Sequence, residues 1–280
     1  MGQCCSSFQP VVRVALKFPG GTRGIRWDGT FVSCDINSWI KSVAHVSNPW
    51  TGWVCYNDET KALGIPQTRK GHCKGIVAWN AERISWLIHS VPNFPRIFTG
   101  AEISNIEPGE HIYGQSFFHI TLTYSDALLR SVLGQIHYMQ AHTFMQQGTI
   151  PDFPRTNRIE TIRLTDDILH IAKPPSVKTD IYGHLASTYP HPWYVRTWRR
   201  GHPIAYTGIH DIELAKHDTT EWSGGSDHSK WAVSDELTWF GDLNRMSSQS
   251  NRGGGGVMIR DAELARSMKD LAQTWVTGRV

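Results

Sequence analysis

No cysteine follows Cys73 in this chain of 280 residues, and the five present (Cys4, Cys5, Cys34, Cys55 and Cys73) fit no zinc spacing. A disulfide framework for the later three quarters is excluded, and the odd count leaves at least one thiol unpaired within the chain. No apolar run is long enough to span a bilayer. There is no Asn-x-Ser/Thr acceptor with a permissive middle residue, so N-glycosylation is not expected. The run Gly253–Gly256 lacks the Gly-Lys-Ser/Thr that would make it a phosphate-cradling loop, and it reads instead as a link into a closing helix. No carboxylate-rich metal signature occurs, which disfavours a metal-dependent hydrolase. The opening residues Met1-Gly2-Gln3-Cys4-Cys5-Ser6 have no apolar segment of the secretory kind, but they fit the N-myristoylation pattern with two palmitoylatable thiols. Membrane association is expected only if Gly2, Cys4 or Cys5 carries lipid.

What is present is globular: 40% apolar and 19% charged residues, enough for one large domain or two closely packed halves. The net charge is only +3, yet fourteen His would carry it towards +17 if all were protonated. Such a chain binds polyanions better as the pH falls.

The one internal repeat is short. Gly71-His72-Cys73-Lys74-Gly75 and Asp227-His228-Ser229-Lys230-Trp231 both contain His-x-Lys, and 156 residues separate the two histidines. In a strand, alternate side chains share a face, so each motif presents an imidazole beside an ammonium. Each is followed by an apolar run, a polar turn and a second apolar run, which reads as a hairpin. Centring the first turn near Ala81 and Glu82 sets His89 opposite Lys74. Centring the second near Glu236 sets Asp242 by Lys230 and Asn244 by His228.

Along the chain, Val11 to Phe18, Gly52 to Asn57, Gly114 to Leu122, Trp193 to Trp198 and Asp211 to Ala215 read as strands. Ser125 to Met145 reads as a helix capped by Ser125, and Asp261 to Trp275 as a closing helix. Gly148 to Asn157, with Pro151 and Pro154, marks a boundary between residues 1–147 and 148–280, each half carrying one His-x-Lys. Arg196, Arg199 and Arg200 among Trp193, Tyr194 and Trp198 form either a phosphate-and-stacking surface or, more simply, an amphipathic strand with solvated arginines.

Two His and two Lys meeting at one pseudo-twofold axis suit phosphodiester cleavage. One neutral imidazole attacks phosphorus and forms a phosphohistidine, while a protonated one donates to the leaving oxygen and then assists water. Two ammonium groups stabilise the non-bridging oxygens, a task that otherwise often falls to a metal.

Several runs carry a resemblance: Lys70-Gly71-His72-Cys73-Lys74-Gly75, His89-Ser90-Val91-Pro92-Asn93-Phe94-Pro95, Tyr113-Gly114-Gln115 and Asp227-His228-Ser229-Lys230-Trp231. Gly241-Asp242-Leu243-Asn244-Arg245 and Arg252-Gly253-Gly254-Gly255 join them, with weaker echoes in Gln9-Pro10 and Tyr56-Asn57-Asp58. In order and spacing these resemble the deoxyribonuclease II family, whose catalytic apparatus is similar to that of the phospholipase D superfamily. The second motif approximates that superfamily's His-x-Lys-x4-Asp through Asp235, and Gly241-Asp242-Leu243-Asn244 stands where it has Gly-Ser-x-Asn. The first has Trp79 in place of the Asp. Ala232 replaces a Cys typical of the family, and with no glycosylation acceptor this suits a microbial or divergent member.

The resemblance implies a phospholipase D-like α/β fold of two pseudo-twofold-related halves, each a mixed sheet flanked by helices, with the site at their interface. It implies a cofactor-free, metal-independent acid endonuclease acting on DNA and leaving 3′-phosphate and 5′-hydroxyl ends. His72 would be the nucleophile, His228 the general acid, and Lys74 and Lys230 the phosphate ligands. His89, Asp242, Asn244 and Gln115 would support them. The family is lysosomal or secreted, although no signal segment is read here. A phosphodiesterase acting on lipid would use the same four residues, and a catalytically dead relative is disfavoured by two intact motifs.

Overall fold

The computed structural model describes residues 9–45, 48–60, 67–198 and 204–277. The lipidation pattern at Met1–Ser6, Arg199 and Arg200 lie outside them. No helix among the described residues is long and apolar enough to cross a membrane.

The strands are β1 (Val11–Lys17), β2 (Arg23–Trp27), β3 (Phe31–Asp35), β4 (Gly52–Asn57), β5 (Lys74–Trp79), β6 (Arg83–His89), β7 (Gln115–Thr123) and β8 (Thr143–Gln147), then β9 (Glu160–Thr165), β10 (Ile168–Lys173), β11 (Trp193–Arg196), β12 (Ile209–His217), β13 (Thr220–Ser223), β14 (Trp231–Val233), β15 (Leu237–Gly241), β16 (Gly254–Arg260) and β17 (Ala272–Thr277). The helices are α1 (Ile36–Ala44), α2 (Asp126–Tyr138), α3 (Ile181–Thr188) and α4 (Ala262–Asp270). Each helix starts at a side-chain oxygen that takes up first-turn amides: Asp35, Ser125, Asp180 and Asp261 respectively.

Strands β1–β8 form one sheet in the order β3-β2-β1-β7-β6-β5-β4-β8. Strands β9–β16 form the other in the order β13-β12-β11-β14-β15-β16-β10-β9, with β17 beside β12. Within these lies a repeat. The spatial order β1-β7-β6-β5-β4 matches β10-β16-β15-β14-β11, strand for strand in chain order, with every neighbouring pair antiparallel. α1 and α3 each follow the first strand of the set, and α2 and α4 each follow the last. The first sheet is antiparallel throughout, while the pair β11–β12 makes the second mixed.

Alternation decides the layers. Val14 and Leu16 point inward to a core shared by both sheets, with Trp86, Phe118, Ile120, Trp231, Phe240 and Val257. Phe118 and Phe240 stack across it, 6.4 Å between ring centroids. Ala15, Ile76, Leu87 and Phe117 point outward beneath α1, and Val195, Ala232, Trp239 and Met258 lie beneath α3. Each large side chain fully buried here contributes about 1.5–3 kcal/mol of transfer free energy.

Three expectations are corrected. The helix read to Met145 ends at Met139: Gln140 takes φ 53°, and Thr143–Gln147 pairs with β4 instead. The closing helix stops at Leu271, because Ala272–Thr277 pairs with β12. The glycine run is no link but the start of buried β16, where an added Cβ would stand 2.3 Å from Ile171 O at Gly255 and 2.4 Å from Phe240 O at Gly256.

Candidate active site

Each motif lies just before or at the start of its strand, β5 or β14, and its backbone is held by the other half. The His72 amide donates to Gly253 O at 2.8 Å, and the His228 amide donates to Gly114 O at the same distance. Lys230 N donates to Ser116 Oγ at 3.0 Å, and Lys74 N lies 3.4 Å from Asp242 Oδ1. These contacts run both ways across one interface and draw the motifs close enough for the charge of Lys230 to act on His72. Both accepting positions need glycine. A Cβ would stand 1.9 Å from Met139 O at Gly253 and 2.6 Å from Asp227 Oδ1 at Gly114.

His72, Lys74, His228 and Lys230 are all buried. The His72 ring is fixed by Nδ1, 2.7 Å from the carbonyl oxygen of Asp242. A carbonyl only accepts, so Nδ1 carries the proton and Nε2 keeps its lone pair. Burial, helped by the charge of Lys74, lowers the His72 pKa to about 3, so the ring stays neutral well into acid. His228 packs against two aromatic rings, Tyr113 stacked at 4.0 Å and 11° and Trp198 tilted at 4.2 Å and 39°.

The two lysines differ. Lys74 Nζ donates to Asp58 Oδ1 at 2.6 Å and Glu59 Oε1 at 3.2 Å. Burial alone would lower its pKa, but those carboxylates outweigh it and hold the ammonium above its usual range. Arg252 Nη2 also donates to Asp58, at 2.7 Å. Burial would raise the Asp58 pKa, and the cations around it (Lys74 foremost) instead hold it well below the carboxylate range. Lys230 Nζ donates to His228 O at 2.6 Å, and burial, with the nearby Lys74 charge, lowers its pKa to about 8. Glu59 also approaches His72, 3.9 Å from Nε2. Its carboxylate therefore reaches toward a cation and an imidazole at once, much as a bound phosphate would.

Of the supporting residues, His89 lies beside Lys74 when the β5–β6 register is carried on by one pair. Its Nδ1 accepts from Val91 N at 3.2 Å, so the proton resides on Nε2, buried and without a protein partner among the described residues. Gln115 Oε1 accepts from Ser90 Oγ at 2.6 Å, which leaves its amide NH2 similarly unpartnered. Asn244 lines the cleft.

The expected pairing of the second hairpin is off by one. Trp231 faces Phe240 and Gly241 N donates to Lys230 O, so Gly241, not Asp242, lies opposite Lys230. Asp242 instead turns its side chain to the amides of Lys74 and Gly255. Burial raises its pKa to about 8, so it is protonated in neutral and acid solution. Asp235 does not reach the site either: it lies in the hairpin turn, largely exposed, 3.7 Å from His191 and from Lys269. Arg196 is neither a phosphate ligand nor solvated. It is fully buried, its Nε 2.8 Å from Asp227 Oδ2, with further bonds to the carbonyls of Ile212, Glu213 and Trp222. It fixes the turn that carries His228.

Asp58, Glu59, Arg252, Tyr113 and Trp198 were not singled out from sequence. Asp58, Tyr113 and Arg252 stand inside the resembling runs and Trp198 in the candidate stacking surface, whereas Glu59 becomes visible only when the halves meet. A cavity of about 310 Å³ opens onto the site, lined by Asp58, Glu59, His72, Trp198, Asn244 and Arg252 among others. Asp58, Glu59 and His72 are also the group of described residues placed to hold a metal ion, with ligand atoms within 4.8 Å of one another. Lys74 and Arg252 already compensate those carboxylates, so the negative charge that would attract a cation is largely spent.

Two sheets sharing a repeated strand order, each carrying one His-x-Lys whose backbone is bonded to the other half, define a phospholipase D-like α/β protein. The chain belongs to the deoxyribonuclease II family, whose model, described as Deoxyribonuclease II, matches residues 32–277. It is similar to cell-death-related nuclease 7 of Caenorhabditis elegans, 28% identical over 247 residues, covering 76% of this chain and 65% of that protein. Deoxyribonuclease-2-alpha of Sus scrofa is 26% identical over 255 residues, covering 80% of this chain and 70% of the relative. The putative deoxyribonuclease-2 of Burkholderia thailandensis is 28% identical over 253 residues, with 78% and 70% covered.

Proposed function

We propose that the protein is a metal-independent acid endonuclease that hydrolyses DNA phosphodiester bonds through a phosphohistidine, leaving 3′-phosphate and 5′-hydroxyl ends. One observation carries this reading: the Asp242 carbonyl fixes the proton of His72 on Nδ1, so a neutral Nε2 lone pair is kept on a residue that lines the cleft and feels the charges of both Lys74 and Lys230. That is the form of imidazole able to attack phosphorus.

His72 Nε2 bonds to phosphorus as the 5′ oxygen of the next nucleotide departs. His228, protonated and packed against Tyr113 and Trp198, gives that oxygen its proton. It then takes a proton from water, whose oxygen attacks phosphorus and releases His72. Lys74 and Lys230 stabilise the non-bridging oxygens, displacing the carboxylate of Glu59 from that place. The N–H donors of His89 and Gln115 supplement them, Asn244 borders the same cleft, and Asp242 serves as scaffold between the halves. The two halves act together as one pseudo-dimeric unit.

Plasmid nicking near pH ~5 in excess chelator tests this, acid favouring the protonated imidazole donor. The protein should nick DNA, and His72→Ala or His228→Ala should each lose roughly 10²–10⁴-fold or more of the rate with folding intact. A requirement for added magnesium, or near-normal activity in either variant, refutes it.

A further inference from the structure

A second cavity, about 490 Å³ and so larger than the cleft at His72, lies on the other side of the Lys70–His72 segment. Its volume falls in the range of about 300–1,000 Å³ usual for ligand sites. It is built from both halves: Val54, Leu133 and Ile136 of the first and Pro174 and Ser176 of the second contribute apolar and small side chains. Lys70 and Arg155 line it with His137, Tyr138, Gln140 and Thr156, and no carboxylate does. Neither Lys70 nor Arg155 has an ion-pair partner among the described residues, in contrast to Lys74 and Arg252, which both pair with Asp58.

The two cavities draw on the same short segment, Lys70 lining one and Thr68 and His72 the other. Lys70 O accepts from Arg252 Nε at 3.1 Å and Nη2 at 2.7 Å, while Gly71 N donates to Gln140 O at 2.9 Å. Arg252 therefore faces the cleft, and Lys70 and Gln140 border the second cavity. Two residues of chain span at most about 7 Å. One DNA strand presents a phosphate about every 3.4 Å of helix rise, so a strand held at His72 carries neighbouring phosphates within reach of Lys70.

We propose that this cavity is a subsite for a nucleotide flanking the scissile bond, its phosphate held by Lys70 and Arg155 and its base against Tyr138. The subsite deepens the nuclease reading and rests on it. It supplies affinity and register for a polymer while leaving the bond-breaking groups untouched.

The test pairs two substrates, plasmid DNA and bis(4-nitrophenyl) phosphate, which has no flanking nucleotide. Replacing both cations (Lys70→Ala with Arg155→Ala) should raise the KM for plasmid about tenfold or more and reduce the slope of log affinity against log salt by roughly 2. Turnover of the small diester should be unchanged. Lys70→Arg with Arg155→Lys should keep the wild-type slope, which separates lost charge from lost folding. An unchanged plasmid KM and salt slope in the alanine variant, or an equal loss on both substrates, overturns the subsite. If the wild-type protein cleaves neither substrate, the nuclease reading fails by itself. Binding of a fluorescent duplex by wild-type and alanine proteins then still decides the subsite, since equal salt slopes reject it and a slope lower by roughly 2 supports it.

Discussion

His72 and His89 are both buried imidazoles with pKa values near 3, yet they leave opposite ring atoms free of the backbone. His72 gives its Nδ1 proton to a carbonyl and presents a lone pair, whereas His89 accepts an amide at Nδ1 and presents an N–H. One is thereby suited to attack and the other to donate. The sequence shows which residues share a strand face, but not this division, because the carbonyl that decides it belongs to Asp242, 170 residues away. The depressed His72 pKa has a kinetic consequence. In the free enzyme the acid-side fall of kcat/KM due to loss of the nucleophile should come near pH 3, and a fall near 6.5 would contradict it. The same shift bears on stability. Below about pH 6.5 the unfolded chain binds protons that folded His72, His89, His119 and His170 refuse, so their contribution is lost as the pH drops from about 6.5 towards 3.

The two hairpins are built alike. In the first, Trp79 faces Ile84 and Asn80 N donates to Arg83 O, leaving a two-residue loop at Ala81-Glu82. In the second, Val233 faces Thr238 and Ser234 N donates to Leu237 O, leaving Asp235-Glu236. Reading the second turn by analogy with the first would have set its register correctly. A turn centred on Glu236 is half a residue off, which shifts the pairing by one and moves Asp242 to the opposite face. Strands with β-branched or alternating runs, such as β1, β4, β7, β11 and β12, were legible, whereas β8 and β17 read as helix and the glycine-rich start of β16 as a link. Helix ends were not, because pairing with β4 and β12 overrode apolar spacing at Thr143–Gln147 and Ala272–Thr277. Arg196 was beyond reach for another reason: a charged residue on a short strand reads as solvated until Asp227 is known to meet it. Removing it should be severe. Arg196→Ala leaves the Asp227 carboxylate buried without its ion pair, and thermal or denaturant unfolding should show a loss of about 3–5 kcal/mol. A loss below 1 kcal/mol would mean the pair does not fix the turn.

At the scale of the molecule, the sheets are joined by one continuous apolar core, whereas the covalent connection between β8 and β9 runs through twelve residues of irregular chain. The core, not the connection, should hold the halves together. A protease site introduced at Asn157 and cut in the folded protein should leave both fragments co-eluting on size exclusion with cleavage activity retained. Separation of the fragments without denaturant would show that the peptide link carries the association. The doubling of His-x-Lys was legible in the sequence. The sharing of the core was not, since apolar alternation marks a buried face without naming what covers it.

The crossed amide bonds from His72 to Gly253 and from His228 to Gly114 carry a temporal implication. Each motif takes part of its address from the other half, so a partly synthesised or partly folded chain holds no working blade. Cutting power arrives all at once, with the last docking step.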